Sequence, residues 1–520
     1  MNQILRITSL VMLVIITPLL YSEIGRSFPE EKAELSLVFR SKKEIKGDKK
    51  DWETELKKDK WIASKTAVVV CDMWDKHWSD NASVRVGEMA PTVNLFVKKT
   101  REMGATIIHC PSDTLEFYKY TPQRLLAKNA PVVATKTPLM RWCKLDPTAE
   151  EKLPIDDTDG GDDSIPKCKN YRAWTRQIDA IEIYPQDAIT DSAEAFYLMK
   201  QKGITNVLVL GVHTNICVLG RPFSIRQMVQ QGMKVALVRD LTDTMYNPEK
   251  APFVSHFTGT DLIVEHIEKF WCPTIGSNQI LGGKEFRFKE DKRPRVLFVA
   301  AEDAYKSRTW IPEFAVARLG KEYQSQFAFS SEARFGSLPG LHMLDSADLL
   351  VLSLRRRGVP EEEMKMLKEF IGKGKPLLAI RTATHGFAPN VKLPAGYAEW
   401  KEFDKDVLGC NYQGHEVANS LTQIMPVVDH FKNINFDRVK IEKLASHLYK
   451  VNPLAKDAKV LLEGKSVPGG KNEPVVWIRE NPEGRVACFT LGHFDEMKHE
   501  EIQQVLKSTI DLMLGKSNLK

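Results

Sequence analysis

The chain has 520 residues, 43% of them hydrophobic and 27% charged, an ordinary balance for a folded protein and too long for one core, so two or three domains are expected. Its 74 basic and 68 acidic residues leave a formal net charge of +6, and with no aromatic–basic motif they give no case for nucleic acid as a partner. Eight cysteines in such a length are too sparse for a disulfide framework.

A basic start, Met1 to Arg6, precedes an apolar run from Ile7 to Tyr21. The run is short for a membrane span and reads as a signal peptide over 1–22, with an uncleaved anchor as the alternative. The mature chain is therefore expected to be secreted or periplasmic. A charged lead-in over 23–60, with Lys42-Lys43 and Lys49-Lys50-Asp51, is expected to be solvated and to pack at most one strand, Leu35 to Arg40, on the first domain.

Strand-like runs then recur at 66–71, 105–110, 206–210 and 234–238, separated by helical patterns such as Val93-Leu95-Phe96-Val97 and Ala195-Phe196-Leu198-Met199. Such alternation predicts a parallel sheet covered on both faces. An insertion from Phe117 to Tyr184 interrupts it with an acidic cluster, Asp156 to Asp163. The spacing is not that of an EF-hand, so a solvated loop is expected, placed to cover the mouth of a site. Cys71, Cys110 and Cys488 read as buried thiols, whereas Cys143, Cys168, Cys272 and Cys410 lie in loop-like surroundings where one bridge could form.

The polar segment 276–292, with Gly282-Gly283, marks a linker. Beyond it a second alternation runs through Arg295 to Ala300, Ala347 to Leu352 and Pro376 to Ile380. The helix at Pro360 to Gly372 opens Pro-Glu-Glu-Glu and carries Met364, Leu367 and Phe370 on one face, with its acids at the positive end of the dipole. Two three-layer α/β/α domains with mainly parallel sheets, 61–275 and 293–517, are expected, each able to fold without the other.

Two strand ends carry the chemistry. Gly211-Val-His-Thr-Asn-Ile-Cys217-Val218 drops a cysteine at the end of an apolar run and the start of a helix-like run, where a thiol ionises more easily and an oxyanion can be held. Upstream, Thr66 to Cys71 ends on Asp72-Met73-Trp74, at the expected carboxyl edge of the same sheet. A strand-Asp-Met followed by strand-Gly-Val-x-Thr-Asn-x-Cys-Val resembles the isochorismatase-like cysteine hydrolase family over roughly residues 60 to 275. The resemblance implies Asp72 as general base, Cys217 as nucleophile, a cis Val212–His213 peptide, and an oxyanion hole from the backbone N–H groups of His213 and Cys217. The family's third residue, a lysine, falls by counting near Glu182, a carboxylate that would be a poor replacement. Arg172, Arg176, Lys169 and Lys76 are the candidates to supply its charge. His109 alone is not a ligand set, so no metal and no cofactor is implied.

The second half is similar to the trehalose-utilisation (ThuA-like) domains, relatives of class I glutamine amidotransferases with a flavodoxin-like sheet. The matching pieces are Ala379 to His385, Gly409 to His415, Pro474 to Trp477 and Gly484 to His493. An amidotransferase needs a cysteine at the elbow after the third strand, where this chain has Arg381-Thr382, so glutamine hydrolysis is not expected. His385, His415 and His493 stand at strand ends or adjoining loops and could converge on a sugar-like ligand. The sequence thus points to an exported hydrolase of a small amide, imide or ester-like bond through Cys217, with a homo-oligomer left open. The alternatives are a two-domain protein that binds small molecules or carbohydrates without turnover, and a vinyl-ether hydrolase in which Asp72 acts without the thiol.

Overall fold

The computed structural model describes residues 33–517 apart from 46–50, 331–335, 418–420, 422, 436–445, 467–470 and 482–483. The signal segment 1–22 and the first ten residues of the lead-in lie outside the described residues.

The first sheet has eight strands: β1 (Glu34–Ile45), β2 (Asp51–Ile62), β3 (Thr66–Cys71), β4 (Thr106–Cys110), β5 (Ala188–Ile189), β6 (Asn206–Val212), β7 (Lys234–Asp243) and β8 (Thr274–Ile275). Their order is β2-β1-β8-β7-β6-β3-β4-β5. β3 to β8 run parallel, and β1 joins antiparallel to β8 and β2. The parallel strands are apolar at consecutive positions because both faces are covered. Ala67, Val69 and Cys71 of β3 face one core, with α3 (Glu194–Gln201), α5 (Ile225–Gln230) and α6 (His256–Phe270), while Val68 and Val70 face the other, under α1 (Asp80–Glu102). α1 starts cleanly because the Ser79 side chain accepts from the Ala82 N–H, a cap typically worth about 1 kcal/mol.

The segment expected to be a solvated lead-in instead supplies two strands. In β1 the alternate residues Leu35, Leu37 and Phe39 are buried, and the Phe39 ring packs on Trp61 of β2 at 4.8 Å. A charged composition hid a period-2 pattern whose polar half faces outward. The segment 276–292 is also no free tether. Its α7 (Asn278–Leu281) abuts α1, the Ser277 N–H and hydroxyl bind Asp240, and the Phe288 ring packs between those of Phe257 and Phe286.

The second sheet holds β9 (Arg295–Ala301), β10 (Gln324–Phe329), β11 (Leu349–Leu354), β13 (Leu377–Ile380), β15 (Gln423–Pro426), β16 (Ala458–Lys465), β17 (Asn472–Asn481) and β18 (Gly484–Phe489). The order is β10-β9-β11-β13-β18-β17-β16-β15, parallel as far as β18 and antiparallel beyond it. A two-residue pairing of β12 (Val359–Pro360) with β14 (Tyr397–Ala398) lies apart. Val296, Phe298 and Ala300 pack under α8 (Ser307–Phe314) and α10 (Glu500–Met513), and Leu297 and Val299 pack under α9 (Glu361–Gly372). Both halves are three-layer α/β/α units with separate cores. They touch where the Gly320 carbonyl accepts from the Ser255 N–H and the Thr258 hydroxyl, and where Arg293 reaches Thr258 and Asp261.

All eight cysteines are free thiols, and every one except Cys168 is buried, including Cys143, Cys272 and Cys410, which the sequence placed in loops. No bridge forms among them. Among the described residues no helix is long and apolar enough to cross a membrane.

Candidate functional site

Asp72 follows β3 directly and takes φ 46°, an uncommon conformation for a residue with a side chain. Gly211 makes the neighbouring strand end fit: a Cβ there would stand 2.1 Å from the Cys71 carbonyl, so only glycine lets β6 lie this close before the chain turns into the cysteine loop. The loop carries the Val212–His213 cis peptide. Ile216 and Val218 both return their N–H to the His213 carbonyl, and Thr214 N–H binds the Asp243 carbonyl. Cys217 then opens the short α4 (Cys217–Gly220).

The carboxyl edge thus gathers Asp72, Cys217 and a cation, and that cation is Arg221. Arg221 Nε lies 3.8 Å from Asp72 Oδ2, and Nη2 lies 3.4 Å from Asp113 Oδ2. Its guanidinium also sits 5.5 Å from the Trp142 ring. Asp72 Oδ1 is fixed by the Ser112 N–H at 2.7 Å. Oδ2, which faces Arg221, accepts no well-formed hydrogen bond among the described residues. The Cys217 thiol lies against both the Asp72 carboxylate and the Arg221 guanidinium.

Burial dominates the electrostatics. It pushes Asp72 up to about 6, against the pull of Arg221 and of the Cys217 and Ser112 hydrogen bonds. It pushes the Cys217 thiol well above its ordinary value, helped by the charge on Asp72 and opposed by Arg221. The sequence expectation of an easily ionised thiol is therefore corrected. A four-residue helix end does not offset removing a thiolate from water beside a carboxylate. At neutral pH the resting pair is a thiol and a carboxylate.

The four sequence candidates for the missing positive charge lie elsewhere, as does the position found by counting. Glu182 is exposed and bonds Asn94 on the outside of α1 through its N–H and carboxylate. Arg176 pairs with Asp179 and Asp75. Arg172 donates to the Asp113 carbonyl, so it borders Arg221 without meeting Asp72. Lys169 and Lys76 have no contact with Asp72 or Cys217 among the described interactions. Counting back from Asp187 to Asp191 reaches a stretch ahead of β5 that runs past the outside of α1, away from the carboxyl edge. Sequence reasoning missed Arg221, which stands four residues beyond Cys217 and is returned to the strand edge only by the fold of that short loop.

Around this trio lies an aromatic and charged wall. Trp74 stacks on Trp174 at 4.4 Å, and His77 lies 4.8 Å from the His213 ring. Burial lowers His77 to about 4 and holds His213 well below the usual histidine range, so both are neutral. Behind them Asp243 accepts from Arg85 at 2.8 Å and pairs with His256 at 2.9 Å. The acidic insertion is part of this wall, correcting the solvated-loop expectation. Asp157 accepts from Asn215 of the cysteine loop, Asp159 from Asn247, and Asp163 binds Arg85 with both oxygens. Gly161 lies against the Met245 carbonyl too closely for any Cβ. His109 binds Gln177 and Asp187, and no cluster among the described residues could hold a metal ion.

In the second half, Arg381 follows β13 with φ 45° and is buried. Around it stand His385, His447 and His493, each close enough to feel its charge. His415 stacks on His447 at 4.7 Å, so His385, His415 and His493 do border one cluster, with Tyr305, Tyr412 and Tyr449 between them. Tyr412 lies within the Gly409 to His415 piece quoted from the sequence, whereas Tyr305, His447 and Tyr449 had no sequence signal, since they come from segments far from it along the chain.

The family model described as isochorismatase domain matches residues 66–253, and that described as trehalose utilisation matches residues 295–511. Among solved structures, the chain is similar to a ThuA-like protein from Bacteroides uniformis, at 14% identity over 44% of this chain and 94% of that one, TM-score 0.29. It is similar to another from Parabacteroides merdae, at 14% identity over 44% and 93%, TM-score 0.31. An isochorismatase family protein from Burkholderia thailandensis matches at 14% identity over 34% and 79%, TM-score 0.20. No curated protein matches the chain.

Proposed function

We propose, for a chain that carries an isochorismatase domain followed by a ThuA domain, that the first domain hydrolyses a small amide, imide or ester-like bond with Cys217 as nucleophile. The observation that carries this reading is the convergence of Asp72, the Cys217 thiol and Arg221 at one strand edge. Asp72 is ionised above pH 6 and takes the thiol proton as sulfur attacks the substrate carbonyl. The negative charge that forms on the substrate oxygen is met by the backbone N–H groups of His213 and Cys217. The protonated Asp72 then passes its proton to the leaving group; water, deprotonated by Asp72, attacks the thioester, and the departing Cys217 thiolate takes that proton back from Asp72 as the acid is released. Arg221 cannot serve as an acid or base, since a guanidinium keeps its protons. It holds Asp72 charged and steadies the thiolate as it forms.

The pH–rate profile of the full chain tests this. With Asp72 as base, kcat/KM rises with pH through about 6. A second reading is favoured by the same raised value: a protonated Asp72 could donate to a vinyl ether without the thiol. That mechanism gives a rate that falls as pH rises through about 6, so the sign of the limb decides between them. A protein that only binds its ligand gives no rate at either limb.

The second domain is proposed to bind a sugar-like ligand at the cluster of His385, His415 and His493, and the chain to act outside the cytoplasm. Support for the latter is the basic start followed by the apolar run at 7–21.

A further inference from the structure

Arg381 presents an unusual arrangement of donors. Its side chain is 1% exposed. Nη1 donates to the Thr490 carbonyl at 3.2 Å and meets the Glu496 oxygens only at 3.4 and 3.5 Å. Glu496 is already engaged: it accepts from the Gly492 N–H at 2.6 Å, from the His493 N–H at 2.8 Å and from the Ser446 hydroxyl. Nε and Nη2 of Arg381 make no well-formed hydrogen bond among the described residues; the Tyr305 hydroxyl stands near the guanidinium and favours its charge without closing such a bond. These two nitrogens form one edge of the guanidinium, the edge that a carboxylate matches with two parallel hydrogen bonds. A buried charge with that edge unpaired is costly to keep.

The surroundings supply the rest of a ligand site. The Tyr305 and Tyr449 rings lie 4.3 and 5.2 Å from the guanidinium. Tyr412 stacks on His385 at 4.3 Å, and Tyr449 approaches Tyr412 at 5.3 Å. Flat rings suit the C–H faces of a polyol, and hydroxyls and neutral imidazoles suit its hydroxyls. Arg355 and Arg356 add positive charge beside His385. The carboxylate that Arg381 meets among the described residues is that of Glu496, while Asp495 and Glu302 stand on the far side, beside His493.

We propose that the free edge of Arg381 receives the carboxylate of a small polyhydroxy acid, of the uronate or aldonate class, whose hydroxylated body lies among Tyr305, Tyr412, Tyr449 and the histidines. This rests on the reading of that cluster as a ligand pocket and specifies the ligand's charge. The residue at this elbow then acts as a binding group where an amidotransferase would place a nucleophile.

Titration calorimetry on the full chain with D-glucuronate, its uncharged amide, D-glucose and inorganic phosphate tests it. The expected result is binding of glucuronate, with the amide and glucose at least ~30-fold weaker, the discrimination left when a buried charged donor loses its partner. Arg381→Lys keeps the charge but not the fork and weakens glucuronate at least ~10-fold with little effect on glucose. His415→Ala, at an exposed position, weakens both and locates the site even if the Arg381 variant fails to fold. Equal binding of glucuronate, amide and glucose overturns the role of Arg381 while leaving the pocket reading in place. Binding of none of the saccharides removes both. Phosphate binding without glucuronate binding, or glucuronate binding unchanged in Arg381→Lys, also overturns the proposal.

Discussion

Asp72 and Arg381 each follow the last residue of a parallel strand, and both take positive φ, 46° and 45°. The backbone device is shared and the side chains carry opposite charge. In the first domain the buried acid meets a thiol and an arginine from the next strand's loop. In the second the buried arginine meets a carboxylate already engaged elsewhere and a ring of tyrosines and histidines, while Cys410 and Cys488 lie within the core. The fold supplies a corner at the strand's carboxyl edge where one side chain is aimed at a ligand. Whether that corner does chemistry depends on what the neighbouring loops bring to it, which is why a fold alone does not name a function.

The comparison breaks most visibly if the nucleophile is removed. Cys217→Ala is expected to lower turnover by about 10³-fold or more while leaving the unfolding midpoint nearly unchanged, and activity and urea unfolding check the two halves of that statement. Asp72→Asn is expected to cost at least ~100-fold through lost base catalysis and to remove the limb near pH 6. It carries a stability signature as well. A carboxyl raised from 3.8 to about 6 by burial stabilises the fold below pH 3.8, and that contribution is lost as pH rises through 6. Between pH 3 and pH 8 the wild type should therefore lose about 3 kcal/mol relative to Asp72→Asn, measured by unfolding at both pH values.

Arg221 sharpens the comparison by separating charge from position. Arg221→Met is expected to lower kcat about 10- to 100-fold and to move the Asp72 limb to higher pH, since the guanidinium holds that carboxyl down. Arg221→Lys should recover part of the rate and most of the limb. A limb that stays near 6 in both would show that the pairing with Asp72 is structural only. The smallest effect is expected at Glu182, where Glu182→Lys changes the rate less than about 2-fold, in line with other exposed substitutions, because the side chain faces Asn94 on α1. A large gain there would restore the position that counting along the chain suggested.

How much could be read from the sequence depends on how local each signal is. Asp72 and Cys217 were visible because each follows a continuous apolar strand within a short motif, Asp72 directly and Cys217 after a four-residue loop, and the strands themselves showed as runs with both faces buried. Arg221 was not visible, because an arginine beyond a cysteine is unremarkable until the loop folds it back against another strand. The acidic insertion misled for a related reason: Asp157, Asp159 and Asp163 find partners in Asn215, Asn247 and Arg85, which lie 58, 88 and 78 residues away. In the second domain the strand ends and three histidines could be placed. The cluster's centre could not, since Tyr305 and Tyr449 come from segments far from Tyr412 along the chain.

The most direct test of the central claim, a resting thiol activated by Asp72, is intact-protein mass measurement after rapid mixing with p-nitrophenyl acetate across pH 5 to 8. The account predicts a single acetyl adduct on Cys217 whose rate of formation rises through pH 6 and falls by about 100-fold in Asp72→Asn. An adduct forming at the same rate in that variant, or no adduct on Cys217 at any pH, would contradict it.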